Sequence, residues 1–150
     1  MNLYVIRHGK TDWNLESRIQ GKTNISLNEM GMNQAEEVRK KIEEKDIDLI
    51  IASPLDRTKQ TAEIINKNMQ VPIKYHDNVA VENGEKIQEF FRRVFDCMSD
   101  IEKENKDKNV LIVTHGGVAR AIDCYFNGIP EDNEDTGSML SNCEVREYNL

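Results

Sequence analysis

Apolar residues gather along this chain in short runs and periodic stripes. Leu3-Tyr4-Val5-Ile6, Leu49-Ile50-Ile51-Ala52 and Val110-Leu111-Ile112-Val113 are continuous apolar tetrads. Runs of that length, bounded by polar or glycine positions, read as buried strands. Val71-Pro72-Ile73-Lys74-Tyr75 reads as a shorter strand whose proline suits a sheet edge or a strand start. Between the strands the period becomes helical. Gly31, Ala35, Val38 and Ile42 recur at helical spacing over 29–44, with Asn28 placed as N-cap. A second helix is expected to start near Pro54, a residue suited to a first turn, with Thr58, Ala62 and Ile65 on one face. The stripe Ile87, Phe90, Phe91, Val94, Phe95, Met98 and Ile101 predicts a long helix over 84–105. A polar turn at 105–109 leads into a strand at 110–114. A helix at about 117–127 follows and stops at Gly128-Ile129-Pro130. Glu131 to Gly137 reads as an acidic loop, and the tail over 138–149 as one or two strands. Strands alternating with helices predict a three-layer α/β fold, with a mostly parallel central sheet and helices on both faces.

A length of 150 residues fits a single domain over 1–150, which would bury about 68–70% of its unfolded surface. The chain is 38% hydrophobic and 31% charged, but its apolar residues cluster periodically, which argues against disorder. With 20 basic and 27 acidic side chains the net charge is -7. That balance excludes non-specific nucleic-acid binding and attraction to an anionic membrane surface, and it leaves room for a local cationic pocket. Cys97, Cys124 and Cys143 are odd in number, far apart and form no CxxC. A disulfide framework and a zinc site are therefore not expected, and a reducing cytoplasm is the simplest setting. The chain opens on a strand pattern with no basic and apolar leader, and no apolar stretch approaches the roughly 18 residues of a membrane span.

The chemistry lies where the three tetrads end. They deliver Arg7-His8-Gly9, Ser53-Pro54-Leu55-Asp56-Arg57 and Thr114-His115-Gly116-Gly117. Ligands of open α/β sheets bind at the carboxyl ends of strands. Two histidines and two arginines there suit a phosphoryl group. Guanidinium forks match its oxygens, and an imidazole with an ordinary pKa of about 6.5 can attack phosphorus and be freed by water. His8 is the candidate nucleophile, Arg7 and Arg57 the clamp, and His115 a donor to the transition state. His115 is helped by two glycines and a helix N-terminus that favours an anion. Plainer readings exist for each residue alone: His8 as a strand-end cap, Arg7 as a surface ion-pair partner, His115 as incidental in a glycine-rich nucleotide loop. The grouping of all four at strand ends favours the phosphoryl site.

Arg7-His8-Gly9-Lys10-Thr11-Asp12-Trp13-Asn14, Gln20-Gly21-Lys22-Thr23-Asn24, Ser53-Pro54-Leu55-Asp56-Arg57-Thr58-Lys59-Gln60-Thr61-Ala62 and Thr114-His115-Gly116-Gly117 together resemble the histidine phosphatase superfamily, also called the phosphoglycerate-mutase-like family. The resemblance covers nearly the whole chain. It implies that His8 is phosphorylated and that Arg7, Arg57 and His115 complete the phosphate pocket. It also implies that Asn14 contacts the phosphoryl group, that Gln20, Gly21 and Thr23 line the substrate entrance, and that no metal or other cofactor takes part.

The chain departs from the family pattern at Lys10, where an acidic residue is usual, and at Asn24, where aspartate is usual. Many members also carry a long segment ahead of the Gly84-Glu85 helix start, with the general-acid glutamate and much of the substrate cap. Here Tyr75 to Gly84 is nearly all that remains. Glu82 is the candidate general acid, against a plain reading as a solvated loop residue, and Glu85 is expected to cap the helix. The leading reading is a cytoplasmic phosphatase acting on a phosphorylated small molecule or, through an open pocket, on a phosphoprotein. The alternatives are phosphoglycerate-mutase-type phosphoryl transfer, for which the cap is short, and a catalytically idle module that binds a phospho-ligand. Neither the physiological substrate nor the oligomeric state is written in the sequence.

Overall fold

Leu3, Tyr4, Val5 and Ile6 alternate between two separate apolar clusters, the pattern of a strand buried on both faces. They lie in β1 (Asn2–Arg7) of a computed structural model that describes residues 1–81, 84–129 and 140–150. The other strands are β2 (Leu49–Ala52), β3 (Ile73–Tyr75), β4 (Asn109–Thr114) and β5 (Val145–Asn149). The helices are α1 (Asp12–Leu15), α2 (Glu29–Glu43), α3 (Asp56–Ile65), α4 (Ile87–Glu104) and α5 (Gly116–Asn127), with a 3-10 turn at Asp77–Val79. Five strands form one sheet in the order β3-β2-β4-β1-β5. β1, β2, β3 and β4 pair in parallel, and β5 returns antiparallel to β1 with Leu3 opposite Tyr148. The α/β architecture with a mostly parallel sheet is as the sequence predicts.

Each face of the sheet carries its own core. Leu3, Val5, Ile51, Val110 and Ile112 meet Val94, Met98 and Ile101 of α4 and Val118 and Ile122 of α5. Tyr4, Ile6, Ile50, Leu111 and Val113 meet Val38 and Ile42 of α2 and Ala62 and Ile65 of α3. Helices therefore cover both faces. Pro72 immediately precedes the edge strand β3, where a missing N–H does not break the ladder. Among the described residues no helix is long and apolar enough to cross a membrane.

Three expectations need correction. The second helix begins at Asp56, not near Pro54. The Ser53 N–H still donates to the Val113 carbonyl in the manner of a strand, and Leu55 is extended at ψ 148, so Pro54 lies in the turn ahead of the helix. Leu55 has no capping side chain, and Asn24 supplies the missing acceptor by taking the Asp56 N–H at 2.7 Å. The long helix starts at Ile87, later than 84, because Gly84 is left-handed at φ +71 and Lys86 is extended. Ile87 is 69% exposed, so the stripe that reaches the core begins further along. Glu85 does not cap this helix. Its carboxylate is held bidentately by Arg93, at 2.9 Å on both oxygens, and this charged, geometrically matched pair outcompetes a backbone cap. Glu82 and the predicted acidic loop over 131–137 lie outside the described residues.

The start of α2 fixes the loop after β1. Its N-cap Asn28 accepts from Gly31 N at 2.8 Å, and Asn28 N donates to Lys10 O at 3.0 Å. At this crossing a Cβ on Gly31 would stand 2.1 Å from Lys10 O, and one on Gly9 would stand 2.5 Å from Gly31 O. Alanine in a helix normally gains about 1 kcal/mol over glycine. Here the blocking atoms are backbone and cannot rotate away, so overpacking at about 1–3 kcal/mol or more outweighs that gain. Gly31→Ala is expected to lower the urea midpoint and to reduce turnover together. An unchanged or raised midpoint would show that the crossing is looser than its geometry.

Candidate active site

β1 and β4 run parallel with Arg7 opposite Thr114, so the residues that follow, His8 and His115, emerge side by side. Their rings lie 5.4 Å apart at 65°, and both are buried, at 2% and 4% exposure. β2 lies on the other side of β4 with Ala52 opposite Val113, which brings Ser53 to the same edge. The Ser53 hydroxyl is 2.8 Å from His115 Nε2.

The His8 backbone N–H donates to Thr114 O at 3.0 Å. Its Nδ1 lies 2.7 Å from the Gly9 carbonyl. A carbonyl only accepts, so Nδ1 carries the proton of the neutral ring and Nε2 keeps its lone pair. Burial pulls the pKa of His8 down to about 3. The bond to Gly9 opposes this, and the charges of Arg57 and Arg7 add to the fall. His115 is also held well below the ordinary histidine value, first by burial and then by His8, Arg57 and Arg7. Both rings are therefore neutral at pH 7. His115 Nδ1 is buried with no partner among the described residues. His115 is the N-cap of α5 but gives no side-chain cap, so the first N–H groups of that helix remain available to an anion.

The two arginines reach the same place from different elements. Arg7 ends β1, and its Nη1 donates to Leu140 O at 3.0 Å. Arg57 sits in the first turn of α3, 2% exposed. It donates from Nη1 to Thr23 O and from Nη2 to Gly21 O, each at 2.7 Å. The Nε atoms of both arginines are buried without a partner among the described residues. Burial, and then repulsion from Arg7, lowers the Arg57 pKa to about 10, so it remains charged at neutral pH. Among the described residues neither guanidinium pairs with a carboxylate. Two largely buried cations without a counterion beside two neutral imidazoles form a site for an anion.

The remaining predicted residues are placed unequally. Gly21 and Thr23 meet the clamp through their carbonyls, which hold Arg57. Gln20 Oε1 accepts from Thr11 Oγ1 at 2.8 Å, and Thr11 caps α1, which carries Asn14. Glu82 lies outside the described residues, but both of its flanks are tied to α4. Arg93 donates to Asn78 O at 2.9 Å and Ala80 O at 3.1 Å on one side, and binds Glu85 on the other. Among the described residues no group of three or more His, Cys, Asp or Glu side chains is arranged to hold a metal ion. Burial pushes the thiol of Cys143 up to about 12, which makes it a poor nucleophile.

Several supporting residues are not distinguished in the sequence. Thr61 Oγ1 accepts from Gly9 N at 3.1 Å and donates to Arg57 O at 2.7 Å, joining the segments that carry His8 and Arg57. Ser53 touches His115. Asn142 donates to His8 O at 3.0 Å. Ser53 and Thr61 belong to a recognisable segment, whereas Asn142 sits in a tail without a motif, and only the pairing of β5 with β1 brings it to the site.

The family model described as Histidine phosphatase superfamily (branch 1) matches residues 3–80 and 74–150. The two matched stretches overlap at 74–80. The chain is 32% identical to the uncharacterized phosphatase PhoE of Bacillus subtilis, over 97% of this chain and 93% of that protein. That alignment runs over 180 positions against a chain of 150 residues, so the relative has a few tens of residues with no counterpart here. A metal-independent phosphoserine phosphatase of Arabidopsis thaliana is 29% identical over 80% of this chain and 66% of its own length. The solved structure of YhfR from Bacillus stearothermophilus superimposes with a TM-score of 0.90, covering 99% of this chain and 91% of that one at 24% identity, and shows the shared fold.

Proposed function

Since this chain belongs to the histidine phosphatase superfamily and is a phosphoric monoester hydrolase, we propose that it works through a phosphohistidine on His8. The observation that carries this reading is the neutral, Nδ1-protonated His8 beside two guanidinium groups that have no carboxylate partner among the described residues. In the first step the Nε2 lone pair forms the P–N bond as the P–O bond to the leaving group breaks. Arg7 and Arg57 neutralise the charge on the transferring oxygens, and His115 and the first turn of α5 donate to them. The departing oxygen takes a proton, for which Glu82 is our candidate donor. In the second step water gives a proton to the Glu82 carboxylate and attacks phosphorus, the P–N bond breaks, and inorganic phosphate leaves with His8 and Glu82 restored. Asn14 contacts the phosphoryl group, and Gln20 lines the entrance.

The substrate in this reading is a phosphorylated small molecule or a phosphoprotein, handled in the cytoplasm by one domain. The few tens of residues missing against PhoE support a less covered entrance that would admit bulky phospho-groups.

Rapid mixing with an aryl phosphate, quenching in alkali and digestion should yield a phosphorylated peptide containing His8. A steady-state phosphoenzyme on another residue, or turnover without a burst under conditions that trap phosphohistidine, would overturn the mechanism. The acid is tested separately. An aryl oxide leaves unaided and an alkoxide does not, so Glu82→Gln should spare aryl phosphate and lower alkyl phosphate turnover by about 10²–10⁴. Equal loss on both esters would remove Glu82 from that role.

A further inference from the structure

Asn14 has a side-chain amide whose two ends look alike in shape and opposite in hydrogen bonding. Only the nitrogen can donate to a phosphoryl oxygen, so what fixes the amide decides whether it binds or repels the substrate. Asn14 Oδ1 lies 3.1 Å from Thr11 N, an obligatory donor, and this end must therefore be oxygen. Thr11 Oγ1 is 3.2 Å away but has one proton, which goes to the nearer Gln20 Oε1 at 2.8 Å. The second donor is Asn142 Nδ2 at 3.4 Å. The Asn142 end is also unambiguous, because the same nitrogen lies 3.0 Å from the His8 carbonyl. The two N–H bonds of one amide thus divide between the backbone of His8 and the side chain of Asn14.

We propose that Asn142 is a positioning residue that fixes the Asn14 amide relative to His8, so that Asn14 Nδ2 is presented to the phosphoryl group. Both lone pairs of Asn14 Oδ1 are filled, by Thr11 N and Asn142 Nδ2, and among the described residues nothing takes the N–H groups of Asn14. The segment bearing Asn142 is itself anchored at the site: Leu140 O accepts from Arg7 Nη1, and Cys143 N donates to Arg7 O at 2.9 Å. Residues 140–143 therefore hold Arg7, His8 and Asn14 in one frame. This inference rests on the reading of Asn14 as a phosphate contact.

A double-mutant cycle on aryl phosphate turnover tests it. Asn142→Ala should lower kcat/KM about tenfold in the wild-type background, within the range for coupled neighbours, and less than about threefold when Asn14 is already alanine. A purely structural role would give the same loss in both backgrounds, and that result overturns the proposal. Asn142→Asp keeps the side-chain shape but sets a third acceptor against His8 O and Asn14 Oδ1. Its loss should be at least as large in wild type and smaller in Asn14→Ala, and it carries the same cycle should the alanine variant not fold. If Asn14→Ala alone leaves turnover and inhibition by inorganic phosphate unchanged, the reading of Asn14 fails and the positioning role fails with it.

Discussion

Replacing His8 by alanine is expected to lower kcat for an aryl phosphate by four orders of magnitude or more. Losing a nucleophile that acts with its partners as a unit costs about 10⁴–10⁶ in comparable two-step hydrolases. The expected change in KM is small. Arg7 and Arg57 bear the charge that holds the ground-state phosphate, and neither makes a hydrogen bond to His8. The pH profile separates this role from a general-base role. A pKa of about 3 leaves His8 neutral from well below pH 5 upward, so its titration cannot set the acid limb of kcat/KM. That limb should instead follow the second ionisation of the phosphate ester, near pH 6. More than about 1% residual kcat in His8→Ala, on the scale of such losses, would place the nucleophile elsewhere. Arg57→Met should lose less, about 10²–10³, the usual scale for one charge-stabilising group. It should also loosen the 20–24 loop, whose Gly21 and Thr23 carbonyls it holds, and limited proteolysis would detect this.

The parts legible in the sequence share a physical cause. The strands that end at the site are continuous apolar tetrads because both faces of the sheet are covered, and Gly9, Pro54 and Gly116 mark where they stop. His8, His115, Arg7 and Arg57 follow directly from those ends. Contacts between distant segments were much harder to read. Asn24 caps α3 across 32 residues of chain, and Asn142 reaches His8 across 134. Asn24 lies in a recognisable segment and Asn142 in a tail without a motif, but each acts through one amide whose partner is defined only by the finished fold. Gly31 looked like a small member of an apolar stripe, although its essential feature is the absence of a Cβ above Lys10 O. Glu85 shows the reverse failure. Its place at a helix start suggested a cap, yet an arginine two turns into the helix took its carboxylate. Local pattern placed the candidate groups at one sheet edge, while the residues that hold them in place depend on tertiary geometry.

The same buried histidines make stability sensitive to acid well above the range in which carboxylates titrate. His8 and His115 have folded pKa values depressed below the ordinary 6.5. Between those values and 6.5 the unfolded chain binds protons that the folded chain refuses. Stability is therefore full above about pH 6.5 and falls as the pH drops below it. The slope is about 1.4 kcal/mol per pH unit for each histidine. From pH 6.5 to 5.0 His8 alone costs about 2 kcal/mol, a sizeable part of the 5–15 kcal/mol that holds a typical domain together, and His115 adds a loss in the same direction. Above pH 5 the carboxylates of Glu36, Glu43 and Glu85, which their arginines hold below the ordinary value, stay ionised in either state, so this window belongs to the imidazoles. Urea denaturation at half-unit steps from pH 5.0 to 7.0 should show the decline, and His8→Asn should make it shallower. Vanadate or phosphate should flatten it as well, because an anion between the rings favours their protonated forms. A flat profile in wild type, or an undiminished slope in His8→Asn, would mean that the folded His8 ring takes up protons as readily as the unfolded chain does, and the depressed value of this buried ring would fall.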